Sequence, residues 1–402
     1  MLLKCTHEKK LTVGLATTRF FSLRAFQKPS PTEAHLSQLL TSEGYRTSET
    51  KKLIGNIESG KHTFLVAPRR YGKSSLCEHA FSKTHYPWSK VDFYMAVTDR
   101  DVERILMAGI IELIGKSIGS VEKLGHVLKK YAKRLRPKVT VGTDPVKLEL
   151  SLAEDSSPAE NIAEALMILE KLLKEKDKQA VLLLDEFQEV GEMANGRGME
   201  GAIRHVAQET QHLSIVFCGS NPHLLTAMFE DERRPLYKLC RKIRLDRIEA
   251  MHYYDHINKA AQAIWGVVLH DAVFERIMQL TERHPYYVNY LCDELCSECE
   301  KVPTVADVDA AWQSVVEEEK SDLVKDFATL SDNQRKLMIH VANSGGAELH
   351  GAEAAKRMGV TSNSISRALA TLVEKDYLEK VGNHFRLIVP AYQQILVERK
   401  QR

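Results

Sequence analysis

The sequence predicts an α/β protein whose core is a parallel β-sheet covered by helices on both faces, followed by two smaller domains. Three segments, 62–67, 180–186 and 214–221, are apolar almost throughout and are separated by stretches with helical periodicity. Strands of this kind are typical of parallel sheets, because both faces of such a sheet are buried. The apolar segment 91–97 is predicted to add a fourth strand.

The length and composition fit two or three globular domains. The chain has 402 residues, of which 44% are hydrophobic and 27% charged, and its net charge of +2 does not indicate a nucleic-acid binder. Its seven cysteines are odd in number, which argues against a disulfide framework. No apolar run approaches the ~20 residues that a membrane-spanning helix requires. We therefore expect a cytoplasmic protein without a membrane partner.

Domain boundaries follow from changes of pattern along the chain. We assign 1–39 to an N-terminal leader or linker, 40–248 to the α/β core, 249–326 to a helical lid and 327–402 to a C-terminal domain. The first 30 residues carry six Lys or Arg against one acid, which fits either a targeting segment or a flexible extension. Within the core, 138–152 alternates Val and Leu with polar residues around Gly-Thr-Asp-Pro, which predicts an inserted β-hairpin.

A phosphate-binding loop is predicted between the first strand and the helix after it. The segment APRRYGKS at 67–74 follows the P-loop pattern G-x-x-x-x-G-K-[ST], with alanine in place of the first glycine. Its backbone N–H groups and the helix N-terminus would favour phosphate oxygens. Lys73 would reach the β and γ phosphates, and the Ser74 hydroxyl would bind Mg²⁺. The predicted nucleotide contacts are Ala67, Pro68, Arg69, Arg70, Tyr71, Gly72, Lys73, Ser74 and Ser75.

The second half of such a site is an acidic pair that ends a neighbouring apolar strand. In VLLLDEFQ, Asp185 would hold Mg²⁺ with Ser74, and Glu186 would orient and activate the attacking water. The third strand ends in Gly-Ser-Asn, where Asn221 is a candidate to sense the γ-phosphate. Ordinary turn chemistry is the alternative for Asn221. The catalytic set is therefore Lys73, Asp185, Glu186 and Asn221.

Five segments in this order resemble the archaeal ATPase family, a branch of the AAA+/STAND P-loop ATPases, over about residues 45–300. They are APRRYGKSSL, LLLDEFQEV, FCGSN, RRPLYKLCRKIRL and ERHPYYVNYLCDEL. The resemblance implies an AAA+-like P-loop NTPase core, a helical lid, ATP as the nucleotide, and nucleotide contacts from His284 and Pro285. Arg283 stands where the family's lid motif has glycine, and a helix start with Pro285 in its first turn is the alternative interpretation.

A homo-oligomer would place an arginine of one subunit at the site of the next. The candidates are Arg233, Arg234 and Arg241, all of which follow the third strand. Ordinary surface solvation is the alternative for each of them.

The C-terminal domain carries a DNA-binding pattern. Residues 349–373 have the spacing of a helix-turn-helix, and the glycine-centred segment 377–388 resembles the wing of a winged helix. Residues 327–402 hold 11 Lys or Arg against 7 Asp or Glu, so the positive charge is shifted toward this end. The groups predicted to face duplex DNA are Ser362, Asn363, Ser364, Arg367 and Arg386. A protein partner is the alternative, because winged helices also bind proteins.

Together these features predict an ATP-hydrolysing, Mg²⁺-dependent, nucleotide-gated switch that associates with DNA through a winged helix. Two alternatives stay open at this point. One is a STAND-like signalling or defence scaffold whose winged helix binds protein, and the other is a DNA-binding regulator that holds nucleotide with negligible turnover.

Overall fold

The computed structural model describes residues 46–118, 136–140, 147–151 and 157–398. The predicted leader, 1–39, lies outside these ranges. Within the described residues, no helix is long and apolar enough to cross a membrane.

The core is a parallel sheet of five strands in the order β2-β5-β6-β1-β7. Because all five run the same way, the carboxyl ends of β1, β5 and β6 lie side by side at one edge, the usual location of a ligand site. The predicted parallel sheet is thus confirmed, and so is the inserted hairpin, β3-β4. The strands are β1 (Thr63–Val66), β2 (Trp88–Asp92), β3 (Arg136–Thr140), β4 (Lys147–Ser151), β5 (Ala180–Asp185), β6 (Leu213–Gly219), β7 (Arg241–Arg244), β8 (Leu378–Val381) and β9 (His384–Leu387).

Seven described helices belong to the core, four to the lid and four to the C-terminal part. The core helices of the described ranges are α1 (Thr47–Glu58), α2 (Lys73–Thr84), α3 (Asp99–Ile118), α4 (Pro158–Glu175), α5 (Gln188–Glu192), α6 (Gly196–Ala207) and α7 (Pro222–Glu230); the lid helices are α8 (Ala250–Trp265), α9 (Asp271–Thr281), α10 (Pro285–Glu298) and α11 (Val305–Ala328); and the last four are α12 (Asp332–Ser344), α13 (Ala352–Met358), α14 (Ser362–Glu374) and α15 (Ala391–Glu398).

Both faces of the sheet are covered, and its inner strands β1, β5 and β6 are buried at every position. Leu182, Leu184 and Phe217 pack on one face against α3, α4, α6 and α7. Leu183 and Val216 pack on the other face against α1 and α2. Burial on both sides holds each inner strand in place, and it therefore also sets the positions of the polar residues at the ends of these strands.

The predicted strand over 91–97 is wrong in position. The strand is Trp88–Asp92, and the N–H of Phe93 donates the last ladder bond, at 3.1 Å, to the carbonyl of Asp185. Beyond Phe93 the chain leaves the sheet, and the apolar side chains of Tyr94 and Met95 are exposed. Apolar composition placed the strand too late, because these residues are not buried.

The lid is helical as predicted, and its last helix continues into the next region. Helix α11 begins at a capping box, in which Thr304 and Asp307 bond each other's backbone N–H, and ends only at Ala328. It therefore passes through the predicted boundary between 326 and 327 without a break.

The C-terminal part, residues 330–398, is called the C-terminal module below. Helices α13 and α14 and the hairpin β8-β9 occur where the sequence predicted a helix-turn-helix and a glycine-centred turn between strands. Strand β7 and helix α15 were not predicted. Ile388, just after β9, is buried in the apolar cluster that also holds Leu65 of β1, so the module packs directly on the core.

Candidate functional site

The phosphate-binding loop has the backbone shape that its glycine predicts. Gly72 has φ +81° and ψ 29°, a left-handed conformation that glycine adopts without steric cost. A Cβ there would contact nothing within 4 Å, so the backbone conformation, rather than space, requires glycine. Ala67 is fully buried, which explains why a small residue is sufficient at the first position of the pattern.

Lys73 is the first residue of α2, and its side chain folds back over the loop. Its Nζ donates to the carbonyls of Ala67, at 2.9 Å, and Pro68, at 3.0 Å. Burial lowers the pKa of Lys73, although Glu186 and Asp185 act in the opposite direction. Two neutral carbonyls are weak partners for a buried ammonium, and an anionic phosphate would be a stronger one.

Asp185 lies opposite Ser74 at the end of β5. The hydroxyl of Ser74 donates to Oδ2 of Asp185 at 3.4 Å, and the N–H of Glu186 donates to Oδ1 at 3.1 Å. A hydroxyl and a carboxylate are ligands that Mg²⁺ prefers, so these two residues fit a magnesium site. A magnesium ion held there would neutralise phosphate charge.

Glu186 is held between the ends of β5 and β6. Its backbone has φ 51°, uncommon for a residue other than glycine, and such strain is often found at functional sites. Its Oε2 accepts the N–H of Ser220 at 2.9 Å and the amide Nε2 of Gln188 at 2.7 Å. A Cβ on Gly219 would lie 2.0 Å from Oε1 of Gln188, so glycine leaves room for the side chain that orients Glu186.

Asn221 begins the helix after β6. Its Oδ1 accepts the N–H of Leu224 at 3.0 Å and so caps the N-terminus of α7. The oxygen of the amide is thereby used for the cap, and only its NH₂ group is left to donate to a ligand.

Comparison with known proteins bears on the fold. No protein-family model and no curated protein matches this chain. Among solved structures, the Walker-type ATPase of Pyrococcus abyssi is similar with a TM-score of 0.65 at 15% identity, covering 89% of this chain and 99% of that one. The ORC2 protein of Aeropyrum pernix is similar with a TM-score of 0.56 at 13% identity, covering 90% and 98%.

This chain has the P-loop NTPase fold of the AAA+ type. The sequence prediction of fold class is confirmed for the five-stranded core and for most of the chain length. The remaining contacts of the site concern how this P-loop NTPase core meets its lid and its C-terminal module.

The lid reaches the P-loop through His284, at the start of α10. The His284 ring is buried and lies edge-on to Tyr71, with ring centroids 4.8 Å apart, and Nδ1 has no hydrogen-bond partner in the part of the chain that the structure describes. Burial, and then the cations Arg247 and Arg70, lower the pKa of His284 well below its usual value. These surroundings favour the neutral form of the imidazole. Pro285 occupies the first position of α10.

Arg70, in the middle of the P-loop, connects the loop to two lid helices. Its Nη1 lies 2.8 Å from Oε1 of Glu319 in α11, and its guanidinium lies 4.2 Å from the ring centroid of Tyr286 in α10. The hydroxyl of Tyr286 donates to the same oxygen of Glu319 at 2.9 Å. Arg70 therefore contacts both α10 and α11 of the lid.

Arg247 joins the P-loop, the lid and the C-terminal module. Its side chain is 1% exposed. Nε lies 3.3 Å from the hydroxyl of Tyr71 and 3.0 Å from Oε1 of Glu379 in β8. Nη1 donates to the carbonyl and carboxylate of Glu282, at 2.9 and 2.8 Å, and Nη2 donates to two carbonyls at and just after the end of β9. We call this set the Arg247 node.

A second acid of the module faces the P-loop. Asp376, between α14 and β8, lines a cavity of about 680 Å³ together with Ala67 and Pro68. Burial raises the pKa of Asp376 to about 7, although the nearby cations Lys73 and Arg69 favour its charged form. The module therefore places a carboxyl group beside the loop that is predicted to bind phosphate.

The three arginines considered for a neighbouring subunit's site lie in different surroundings. Arg233 pairs with Asp231 at 2.8 Å on the surface. Arg234 pairs with the fully buried Glu200 and so has a structural role within the core. Arg241 begins β7 and is exposed.

The nucleic-acid candidates are divided between two surfaces. Ser364 of α14 is half-buried, and its hydroxyl lies 2.9 Å from that of Thr361, the residue that caps this helix. Arg386 of β9 pairs within the module, where its Nε donates to Oε1 of Glu379 in β8 at 2.7 Å. The other three candidates are exposed on α14, namely Ser362, Asn363 and Arg367.

Sequence reasoning missed five residues of the site. Gln188 follows the predicted Glu186 by two residues. Lys90 pairs with Asp185, and the alternating strand pattern that ends at Asp92 was the available signal for it. Arg247 had no such signal, because its partners are between 35 and 176 residues away. The same holds for the module's acids, Asp376 and Glu379.

Proposed function

We propose that this protein is a member of the archaeal ATPase family that binds and hydrolyses ATP with Mg²⁺. The observation that carries the proposal is the convergence of four groups at one edge of the sheet: the P-loop lysine, the Ser74–Asp185 pair and the oriented carboxylate of Glu186. The ORC2 protein, which has a similar fold at low identity, is described as complexes with ADPNP and ADP, and this supports the choice of an adenine nucleotide.

The roles follow from the position of each group. Lys73 donates to the β and γ phosphates when it leaves the carbonyls of its own loop. Ser74 and Asp185 would hold Mg²⁺, which would supply positive charge to the phosphates. Glu186, fixed by Gln188, orients a water for attack on the γ-phosphate and accepts its proton.

We also propose that nucleotide binding is linked to the placement of the C-terminal module. Arg70 and Tyr71 belong to the loop whose amides would bind phosphate, and each contacts another part of the chain. Phosphate in the loop changes the surroundings of both residues, and it brings negative charge toward Asp376 and Glu379. A bound triphosphate therefore weakens the contact between loop and module, and hydrolysis restores it.

The proposed partner of the module is duplex DNA, bound as a winged helix binds it. The exposed row on α14 and the excess of basic residues after 327 support this choice over a protein partner. If ATP opens the module, DNA binding and hydrolysis are coupled. A STAND-like protein scaffold is the second candidate, favoured by the pairing of Arg386 with Glu379 inside the module, which removes one cation from a DNA face.

The test is steady-state ATP turnover with and without duplex DNA. We expect turnover in the wild type, loss of at least about 100-fold in Lys73→Ala, and no loss in Lys83→Ala, which changes an exposed lysine at the end of the same helix. Stimulation by DNA that diminishes steeply with salt supports the DNA assignment. Turnover that does not respond to DNA assigns the module to a protein partner. Equal turnover in Lys73→Ala and wild type would contradict the ATPase assignment.

A further inference from the structure

A lysine outside the P-loop forms an ion pair with Asp185, the predicted metal ligand. Lys90 of β2 places its Nζ 2.7 Å from Oδ2 of Asp185, the same oxygen that the hydroxyl of Ser74 faces at 3.4 Å. The Asp185 side chain is 9% exposed and that of Lys90 is 32% exposed, so the ion pair is largely shielded from water. Neither the P-loop pattern nor the acidic pair at the end of β5 requires a lysine at this position.

The strand register holds Lys90 in this position. β2 pairs with β5 in parallel, with Lys90 opposite Leu183 and Asp92 opposite Asp185. Lys90 therefore lies two residues before the end of β2. Its long side chain extends along the strand direction to the carboxylate of Asp185, at the end of the neighbouring strand β5. Since both strands are anchored by buried residues on each side, the pair is part of the sheet rather than a chance surface contact.

Two cations cannot share one carboxylate oxygen without repulsion. An ammonium at 2.7 Å from Oδ2 occupies one lone-pair direction of the oxygen and adds a positive charge within a few ångströms of any metal bound there. Because the site is shielded, that repulsion is larger than it would be on an open surface. Without any cation, however, the buried carboxylate of Asp185 would lack a charge partner.

We propose that Lys90 is the resident cation of Asp185 and competes with Mg²⁺ for its carboxylate, so that Lys90 sets the metal affinity of the site. The inference rests on the proposed role of Asp185 as a metal ligand. Lys90 is a positioning residue: it holds the carboxylate toward Ser74 and must release Oδ2 for a metal to be ligated. Metal binding thereby becomes a step in which one cation is exchanged for another.

The experiment measures Mn²⁺ binding by the electron paramagnetic resonance signal of free Mn²⁺, on the full chain, with and without ADP. The neutral variants are Lys90→Gln and Lys90→Met, and Lys90→Arg keeps the charge. Lys116→Met is the matched control, because Lys116 is also ion-paired beside β2 but contacts Glu112 instead of Asp185. We expect the Mn²⁺ dissociation constant to fall about tenfold in both neutral variants and to change less than about twofold in Lys90→Arg and Lys116→Met.

Thermal unfolding in EDTA gives a second readout. In EDTA, the neutral variants at Lys90 are expected to unfold at a lower temperature than wild type. Adding Mn²⁺ is expected to raise the unfolding temperature of these variants by more than it raises that of wild type. Equal Mn²⁺ dissociation constants in wild type and Lys90→Gln, or no measurable Mn²⁺ binding to Lys90→Gln, would overturn the proposal. A wild type that binds Mn²⁺ but no ADP contradicts the proposed function, while the comparison between variants without ADP still decides the role of Lys90.

Discussion

The sheet and the Arg247 node both position the P-loop, but they are built from opposite materials. The sheet packs Leu, Val and Phe side chains on both faces, and residues such as Leu183 are fully buried there. The node is a buried guanidinium surrounded by a hydroxyl, two carboxylates and backbone carbonyls. Apolar packing is lost only by unfolding, whereas a polar contact can be exchanged for water or for a ligand.

This difference separates a fixed part of the site from a movable one. The strand ends that carry Asp185 and Glu186 inherit the rigidity of the sheet. The contacts of Tyr71 and Arg70 with the module and the lid depend on charge, and a nucleotide changes charge in that place. The four predictions that follow distinguish the two parts, beginning with the largest effect.

Glu186→Gln is expected to lower ATP turnover by about 100- to 1000-fold, because the amide cannot accept a proton from the attacking water. Nucleotide affinity, measured by calorimetry, is expected to stay within a few-fold of wild type. The control is Glu189→Gln, since Glu189 also accepts a bond from Gln188 but follows the strand end by four residues. Unchanged turnover in Glu186→Gln would assign the base to another residue.

Leu183→Ala is expected to destabilise the core by about 3 kcal/mol, because a fully buried side chain leaves a cavity between the sheet and α2. Denaturant unfolding measures the loss. Hydrogen exchange of the β8-β9 amides relative to the rest of the chain is expected to stay as in wild type. Selective exposure of β8-β9 in this variant would show that the two parts are not separable.

Arg247→Met is expected to weaken the contact of the module with the core by about 2 kcal/mol, because Glu379 loses a buried charge partner. The loss is smaller than for an ion pair deep in a core, because Glu379 regains water when the interface opens. Faster hydrogen exchange in β8-β9, with unchanged exchange in β5, measures the effect. Arg244→Met is the control, since Arg244 pairs with Asp246 on the surface. Equal exchange in Arg247→Met and wild type would show that the node does not hold the module.

Asp376→Asn is expected to strengthen the module contact at pH 8 by about 1 kcal/mol. Burial raises the pKa of Asp376 to about 7, so the folded contact favours the protonated carboxyl. The stability of the contact between module and core is therefore highest below about pH 4, decreases as the pH rises to about 7, and changes no further above that. The variant should show no such decrease between pH 4 and 7, as measured by β8-β9 hydrogen exchange corrected for intrinsic rates. Glu374→Gln, in the exposed last turn of α14, should keep the wild-type profile.

The sequence was sufficient for the groups whose roles are set by neighbours along the chain. Gly72, Lys73 and Ser74 follow a strand and begin a helix, and Asp185 ends a buried strand, so a local pattern carried the prediction of their positions. It was insufficient where burial decided the outcome. The apolar residues Tyr94 and Met95 indicated a strand but lie exposed beyond β2.

Contacts between distant segments were beyond the reach of any local pattern. Lys90 and Asp185 meet because β2 and β5 are paired, and Arg247 meets Glu379 across 132 residues. β7 was missed for a related reason: its four residues are charged at three positions and form a strand only because β1 offers a parallel edge. Such features become predictable only when the pairing of elements is known.

The most direct test of the link between nucleotide and module is hydrogen exchange of β8-β9 in Glu186→Gln with and without saturating ATP and Mg²⁺. We expect ATP to accelerate exchange in β8-β9, ADP to do so less, and Lys73→Ala not to respond. If calorimetry shows bound ATP while the exchange of β8-β9 is unchanged, the P-loop and the module are not coupled.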